Sequence, residues 1–255
     1  MYFLIPPSEG KTPPAKGPTF KLTTLPFPEL NPTRDTIIDA LVKLATAKPA
    51  LAAEILDLGP TQSELLALDA HVRTSHCAPA IEVYSGVLFD HFGYASLTPR
   101  AQGIANDSIL ISSALFGFVS PQSYIPAYRL SGSTKLPTLD PLPSLWKPVL
   151  TPVLASLAGE LILDMRSGSY AKLAPLPRAS TNLEVKVMTL VNGVRKSVTH
   201  FNKATKGDLL RAAMTSSKRL PKQVSEVEKY FRSLGFDAFL ERTDRGQSEL
   251  VIITQ

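Results

Sequence analysis

The sequence predicts an α/β fold, a single domain built around a mixed sheet. Three observations predict it. Short, wholly apolar runs such as Ile109-Leu110-Ile111 and Leu161-Ile162-Leu163 read as strands buried on both faces, the pattern of parallel strands. Helical patterns lie between these runs, so strand and helix alternate along the chain. Leu183 to Val191 alternates, turns at Asn192-Gly193 and returns from Val194 to Phe201, an antiparallel hairpin that makes the sheet mixed. No repeat, low-complexity tract or linker interrupts the 255 residues, so one domain over 1–255 is expected.

Taken in order, Tyr2 to Ile5 forms a first strand, followed by a Pro-rich loop through Pro28. Gly10-Lys11-Thr12 resembles the end of a phosphate loop. That motif also needs a glycine at position 5, which is isoleucine, and Pro13-Pro14 blocks the helix that should follow. Asn31-Pro32 opens a helix as N-cap and first residue, Ala50 to Leu58 forms a second, and the capping box Thr61 to Glu64 opens a third through about Arg73. Ile81 to Tyr84 reads as a strand, and helices from Val87 and Thr98 lead into the Ile109 strand. Ser112 and Ser113 then enter a loop that carries Tyr124, Tyr128 and Arg129. A helix from Asp140-Pro141 is expected to be kinked or broken by Pro143, Pro148 and Pro152. After the Leu161 strand and the hairpin, helices run from His200 to about Ser216 and from Pro221 to Gly235. Phe236 to Glu241 and Leu250 to Ile253 close the chain as a second hairpin through Asp244-Arg-Gly246.

Composition narrows the function classes. No apolar run approaches the roughly 18 residues of a membrane span, and Met1 to Ile5 lacks the basic start and length of an export signal. A cytoplasmic protein with no membrane partner is expected. A lone cysteine, Cys77, excludes an internal disulfide, and His71, His76 and Cys77 lack metal-ligand spacing, so neither a metal nor another cofactor is expected. The net charge of +5 permits a polyanionic partner without requiring one.

Where the charge lies is more informative. Arg195, Lys196, Lys203, Lys206, Arg211, Lys218, Arg219 and Lys222 share their span with one acid, Asp208. On one surface they would attract phosphates in a salt-dependent way. Catalytic templates are missing: there is no G-x-S-x-G elbow, no H-E-x-x-H and no glycine-rich dinucleotide turn. Tyrosines beside lysines could stack on bases or pass protons, and the sequence alone leaves both open.

The order and spacing of several short elements resemble the YaaA family, the bacterial peroxide stress resistance proteins. They are Pro7-Ser8-Glu9-Gly10-Lys11-Thr12, Val83-Tyr84-Ser85-Gly86, Ser113 to Pro121 with Pro126-Ala-Tyr128-Arg129-Leu, Leu145-Trp146, Leu163-Asp164 with Ser169-Tyr170, and Phe201-Asn-Lys203-Ala-Thr-Lys206-Gly207. The resemblance implies a single-domain α/β fold of unusual topology. It also implies DNA binding, to duplex or to damaged or mismatched DNA, through a positively charged cleft with a helix-hairpin-helix element. Leu136 to Leu142 and Leu220 to Val224 are the two places where that element could lie. The cellular role implied is limiting peroxide and iron damage. Carried over by position, the cleft candidates are Lys11, Tyr84, Tyr128, Arg129, Tyr170, Lys203 and Lys206. The first reading is therefore a non-enzymatic DNA-binding stress protein. The alternative is an enzyme acting on a small phosphorylated or purine-like substrate in the same cleft.

Overall fold

The computed structural model describes residues 1–177, 181–197, 200–243 and 246–254. The chain begins with β1 (Tyr2–Ile5), α1 (Asn31–Ala47), α2 (Pro49–Ile55) and α3 (Glu64–Ala70). The small β2 (Ala78–Pro79) leads to α4 (Ala80–Val83), α5 (Val87–Phe92) and α6 (Pro99–Ser108). Next come β3 (Ile109–Ser113), β4 (Gly117–Val119), β5 (Tyr124–Ile125), α7 (Leu142–Ser156), β6 (Ile162–Asp164) and α8 (Gly168–Leu173). The last part holds β7 (Asn182–Val191), β8 (Val194–Ser197), α9 (His200–Thr215), α10 (Val224–Arg232), β9 (Asp237–Arg242) and β10 (Ser248–Thr254).

One mixed sheet orders its strands β4-β3-β1-β6-β7-β10-β9, with β8 paired to β7. The strands from β3 through β10 run parallel to their neighbours along this path, and β4, β8 and β9 are antiparallel additions. The expected α/β class and mixed sheet are therefore present. Phe3, Leu4 and Ile5 are fully buried, as a central strand covered on both faces requires. The β7–β8 turn has Asn192 and Gly193 at φ 53° and 76°, the type I′ geometry read from Asn-Gly.

Three expectations need correction. Ile81 to Tyr84 is not a strand: Ala80–Val83 is one helical turn with Ala80, Ile81 and Val83 buried. Its β-branched residues satisfy the core from a helix, so burial overrides strand propensity. The Thr61–Glu64 box does not form. Gln62 Oε1 accepts the Gly59 N–H at 3.0 Å in a short 3-10 turn, and α3 starts only at Glu64 and ends at Ala70. Of the expected kink or break in the proline-bearing helix, the break is absent: α7 runs without interruption from Leu142 to Ser156. Pro148 and Pro152 both lie on its exposed face, where water can satisfy the carbonyls they leave unpaired, while Trp146, Leu150, Val153 and Leu154 anchor the buried face. In the closing hairpin, β9 pairs antiparallel with β10, and its turn residues Asp244 and Arg245 lie outside the described residues.

Two contacts fix the scaffold near the carboxyl ends of the strands. Arg34 of α1 is fully buried and donates to five acceptors: the carbonyls of Pro26, Phe27, Phe116 and Phe118, and Asn31 Oδ1. It ties the loop before α1 to β4. Gly207 lets α9 press on α5: a Cβ there would lie 2.4 Å from Leu88 O and 2.6 Å from His91 Cβ. Gly207→Ala is therefore expected to force the helices apart at a cost of about 1–3 kcal/mol, read as a lower urea midpoint with an unchanged slope.

Candidate functional site at the strand ends

β1 lies between β3 and β6 and is parallel to both. The chain leaves it toward β3 on one side and later returns through β6 on the other. This is a topological switch point, and the crevice outside the carboxyl ends of such strands is where open sheets bind ligands. The loops that meet there follow β1 (residues 6–11), β3 (114–116) and β6 (165–167).

The loop after β1 is stitched to the segment after α4: Thr12 N–H donates to Val83 O at 2.8 Å and Ser85 N–H to Gly10 O at 3.2 Å. This pairs Lys11 with Tyr84. Lys11 Nζ folds back to Ser8 O at 2.9 Å and lies 4.3 Å from the centre of the Tyr128 ring and 5.5 Å from that of Tyr84. Burial pushes its ammonium down to about 8; Glu9 pulls the other way, Arg129 adds to the fall and Asp69 opposes it.

Beneath Lys11 runs a chain of hydroxyls. Tyr84 and Tyr128 are 2.9 Å apart, and Tyr128 and Ser113 are 2.7 Å apart. Ser113 Oγ accepts the N–H groups of Leu115 and Phe116, so both its lone pairs are taken and its proton must go to Tyr128. Tyr128 in turn donates to Tyr84, and the hydroxyl proton of Tyr84 is the end of the chain. Burial holds both phenols protonated, pushing Tyr84 up to about 12 and Tyr128 well above its ordinary value.

Arg129 is held at both ends. Its N–H donates to Asp69 Oδ1 at 2.7 Å, and its guanidinium pairs with Glu9 at 2.7 Å. Asp69 is fully buried on α3, its Oδ2 has no partner, and burial pushes it up to about 7 against the pull of the Arg129 N–H and of the Lys11 and Arg129 charges.

A cavity of about 430 Å³ opens beside this cluster. Glu9 and Tyr170 line it, together with Arg166, Lys186, Asn202, Lys203 and Lys206. Arg166 is bidentate on Asp164 at 2.8 and 2.7 Å, and its Nη1 is buried without a partner. Lys206 donates to Met165 O at 2.8 Å, and burial pushes it down to about 8 despite Asp164 and Glu184. Lys203 is exposed, one turn earlier on α9.

The structure thus gathers the seven sequence candidates into one region, in two parts. Lys11, Tyr84, Tyr128 and Arg129 form the buried cluster, and Tyr170, Lys203 and Lys206 belong to the cavity. Tyr84, Tyr128 and Tyr170 are 2, 2 and 5 % exposed, so they build the wall rather than offer open ring faces. The remaining cations of the basic span disperse. Arg195 pairs with Glu241, and Arg211 donates to the carbonyls of Phe92 and Gly93 at the end of α5. Asp69, Asp164, Arg166 and Asn202 were not among the site candidates, although Asp164 and Asn202 lie in elements that carry the resemblance, because each acquires its role from a partner or a cavity that folding supplies. Of the two helix-hairpin-helix places, Leu220 to Val224 falls between α9 and α10, whereas Leu136 to Leu142 only precedes α7. Among the described residues no group of three metal-ligating side chains occurs, and no helix is long and apolar enough to cross a membrane.

Comparison with known proteins adds the family. The family model described as peroxide stress protein YaaA matches residues 1–237. A UPF0246 protein of Streptomyces coelicolor is 34 % identical over 248 residues, covering 96 % of this chain and 95 % of the relative. A UPF0246 protein of Corynebacterium efficiens is 40 % identical over 221 residues, covering 85 % and 86 %. Another, from Corynebacterium glutamicum, is 36 % identical over 222 residues, covering 86 % of each. With matches that span nearly all of the sheet and both parts of the site, the chain belongs to the YaaA family of peroxide stress proteins.

Proposed function

We propose that this chain serves peroxide stress resistance by binding nucleic acid across the cleft at the strand ends, without catalysis. The observation that carries the reading is the state of the two α9 lysines. The acids lining the cleft are already engaged, Glu9 by Arg129 and Glu184 by Lys186. Among the described residues neither Lys203 nor Lys206 has a carboxylate within ion-pair distance. Cations left over in this way are available to phosphates. The helix pair α9 and α10 would carry a helix-hairpin-helix grip on the backbone. In this reading the buried tyrosines shape the cleft and the lysines supply most of the affinity, with little sequence preference.

The test is a duplex titration over a range of salt. The Lys203→Ala, Lys206→Ala double variant is expected to bind more weakly and to lose about two from the log–log salt slope, close to one per phosphate contact. An unchanged slope would remove the cleft from duplex binding. Exposed Lys16→Ala serves as the control for general charge.

A further inference from the structure

The geometry points to a phosphomonoester pocket inside the cleft, sized for one nucleotide unit and distinct in chemistry from a surface that follows a phosphodiester backbone. It rests on the reading that the cleft receives phosphates, and it names which phosphate.

The volume argues first. About 430 Å³ lies in the range of small-molecule sites, roughly 300–1,000 Å³, and cannot admit a duplex. Unmet hydrogen bonding argues second. Among the described residues four buried side-chain atoms lack a partner, and two of them, Arg166 Nη1 and Asn202 Oδ1, belong to residues lining this one cavity. Buried polar atoms are almost always paired, so two unpartnered polar atoms on residues that line one cavity point to a ligand that completes the bonding. Arg166 is 5 % exposed and fixed by Asp164 and by Ala174 O at 2.8 Å. The guanidinium is therefore held rigidly at the cavity wall with its Nη1 N–H groups unused.

Charge argues third. Arg166, Lys203 and Lys206 converge on the cavity, and only Arg166 is neutralised by a partner carboxylate. A terminal phosphate brings close to two negative charges and three acceptor oxygens, and a diester brings one charge. The two α9 lysines and the free Arg166 N–H groups match the former. Pro6, Pro7 and Tyr170 complete the lining with apolar surface suited to a sugar or base. The Asn202 amide can present its oxygen to a sugar hydroxyl or, turned over, its NH₂ to the phosphate. Free mononucleotides and the 5′-phosphorylated end of a strand carry the same group.

The experiment compares four probes on the full chain. AMP and adenosine are tested by thermal shift, and single-stranded oligonucleotides of one sequence, with 5′-phosphate or 5′-hydroxyl, by fluorescence anisotropy. The expected result is at least about tenfold tighter binding of the phosphorylated member of one or both pairs. The Asn202→Ala, Lys203→Gln variant is expected to erase the difference. If that variant does not fold, the comparison on the native chain still decides. A pH series gives a second readout. Affinity should rise above about pH 6 as the phosphate loses its second proton and fall above about pH 8 as Lys206 loses its own. The groups around Lys206 are Asp164 from β6, Arg166 from the loop after it, Glu184 and Lys186 from β7, Glu9 from the β1 loop and Lys203 on its own helix. AMP bound without any oligonucleotide binding supports the pocket as a site for free mononucleotides and excludes the strand end as its ligand. Both strands bound equally, with a salt slope and no effect of AMP, overturns the pocket and leaves that reading standing. No binding by any probe overturns the pocket, while the nucleic-acid reading stands or falls with the duplex titration.

Discussion

The Asp69→Asn variant is expected to be more stable than the native chain at about pH 8, with the advantage shrinking as the pH falls. In the folded protein burial raises the Asp69 carboxyl from 3.8 to about 7. Between these values the unfolded chain has released the proton and the folded chain still holds it. The folded state binds more protons there, so stability falls as pH rises and reaches its floor above pH 7. The asparagine keeps an oxygen for the Arg129 N–H and carries no charge to desolvate. The stability gap should widen by about 2–3 kcal/mol between about pH 5 and pH 8, measured by urea unfolding of both proteins at each pH. A gap that does not change with pH would mean that Asp69 is ordinarily ionised in place. Its Oδ2 has no partner to compensate, so the native carboxyl costs stability. Its position next to Lys11 and Arg129 gives that cost a reason in the site.

The second large effect concerns Arg34. Arg34→Leu is expected to cost about 3–5 kcal/mol, because it strands the buried carbonyls of Phe116 and Phe118 and the half-buried ones of Pro26 and Phe27 without a donor. Arg34→Lys should rescue little, since one ammonium with three protons cannot replace a planar fork that meets five acceptors. Chemical unfolding measures both. Phe116 also supplies one of the N–H groups that fix the direction of the Ser113–Tyr128–Tyr84 chain. Near-UV circular dichroism of the surviving folded fraction should therefore change with the tyrosine environment. Native-like stability of Arg34→Leu would show that water can reach those carbonyls.

These two residues also show what a sequence does and does not display. Local geometry was legible. Asn192-Gly193 specifies its turn by its own backbone preference, and the Ile109 run declares burial by lacking any polar residue. Propensity misled where burial had the final say, as at Ile81 to Tyr84, and the Pro148 and Pro152 pair misled because its four-residue spacing puts both on the solvent face of α7. The site was half legible. Lys11, Tyr84, Tyr128, Arg129, Tyr170, Lys203 and Lys206 were found through resemblance and lie in one region. Arg34 and Asp69 sit in unremarkable helical stretches, and their partners Phe116 and Arg129 are 82 and 60 residues away. No local pattern encodes such a partnership, because its energy comes from burial that only the finished fold creates.

The central position of β1 has a consequence for how the molecule is made. Tyr2–Ile5 leaves the ribosome ahead of the strands it pairs with, since its neighbours β3 and β6 are residues 109–113 and 162–164. The middle of the sheet must wait through roughly a hundred residues of synthesis for one side and still longer for the other. The cleft waits longer again, since its walls include α9. A nascent or truncated chain therefore exposes an unpaired apolar strand and cannot yet grip an anion. The site comes into being only once the chain has been made through α9.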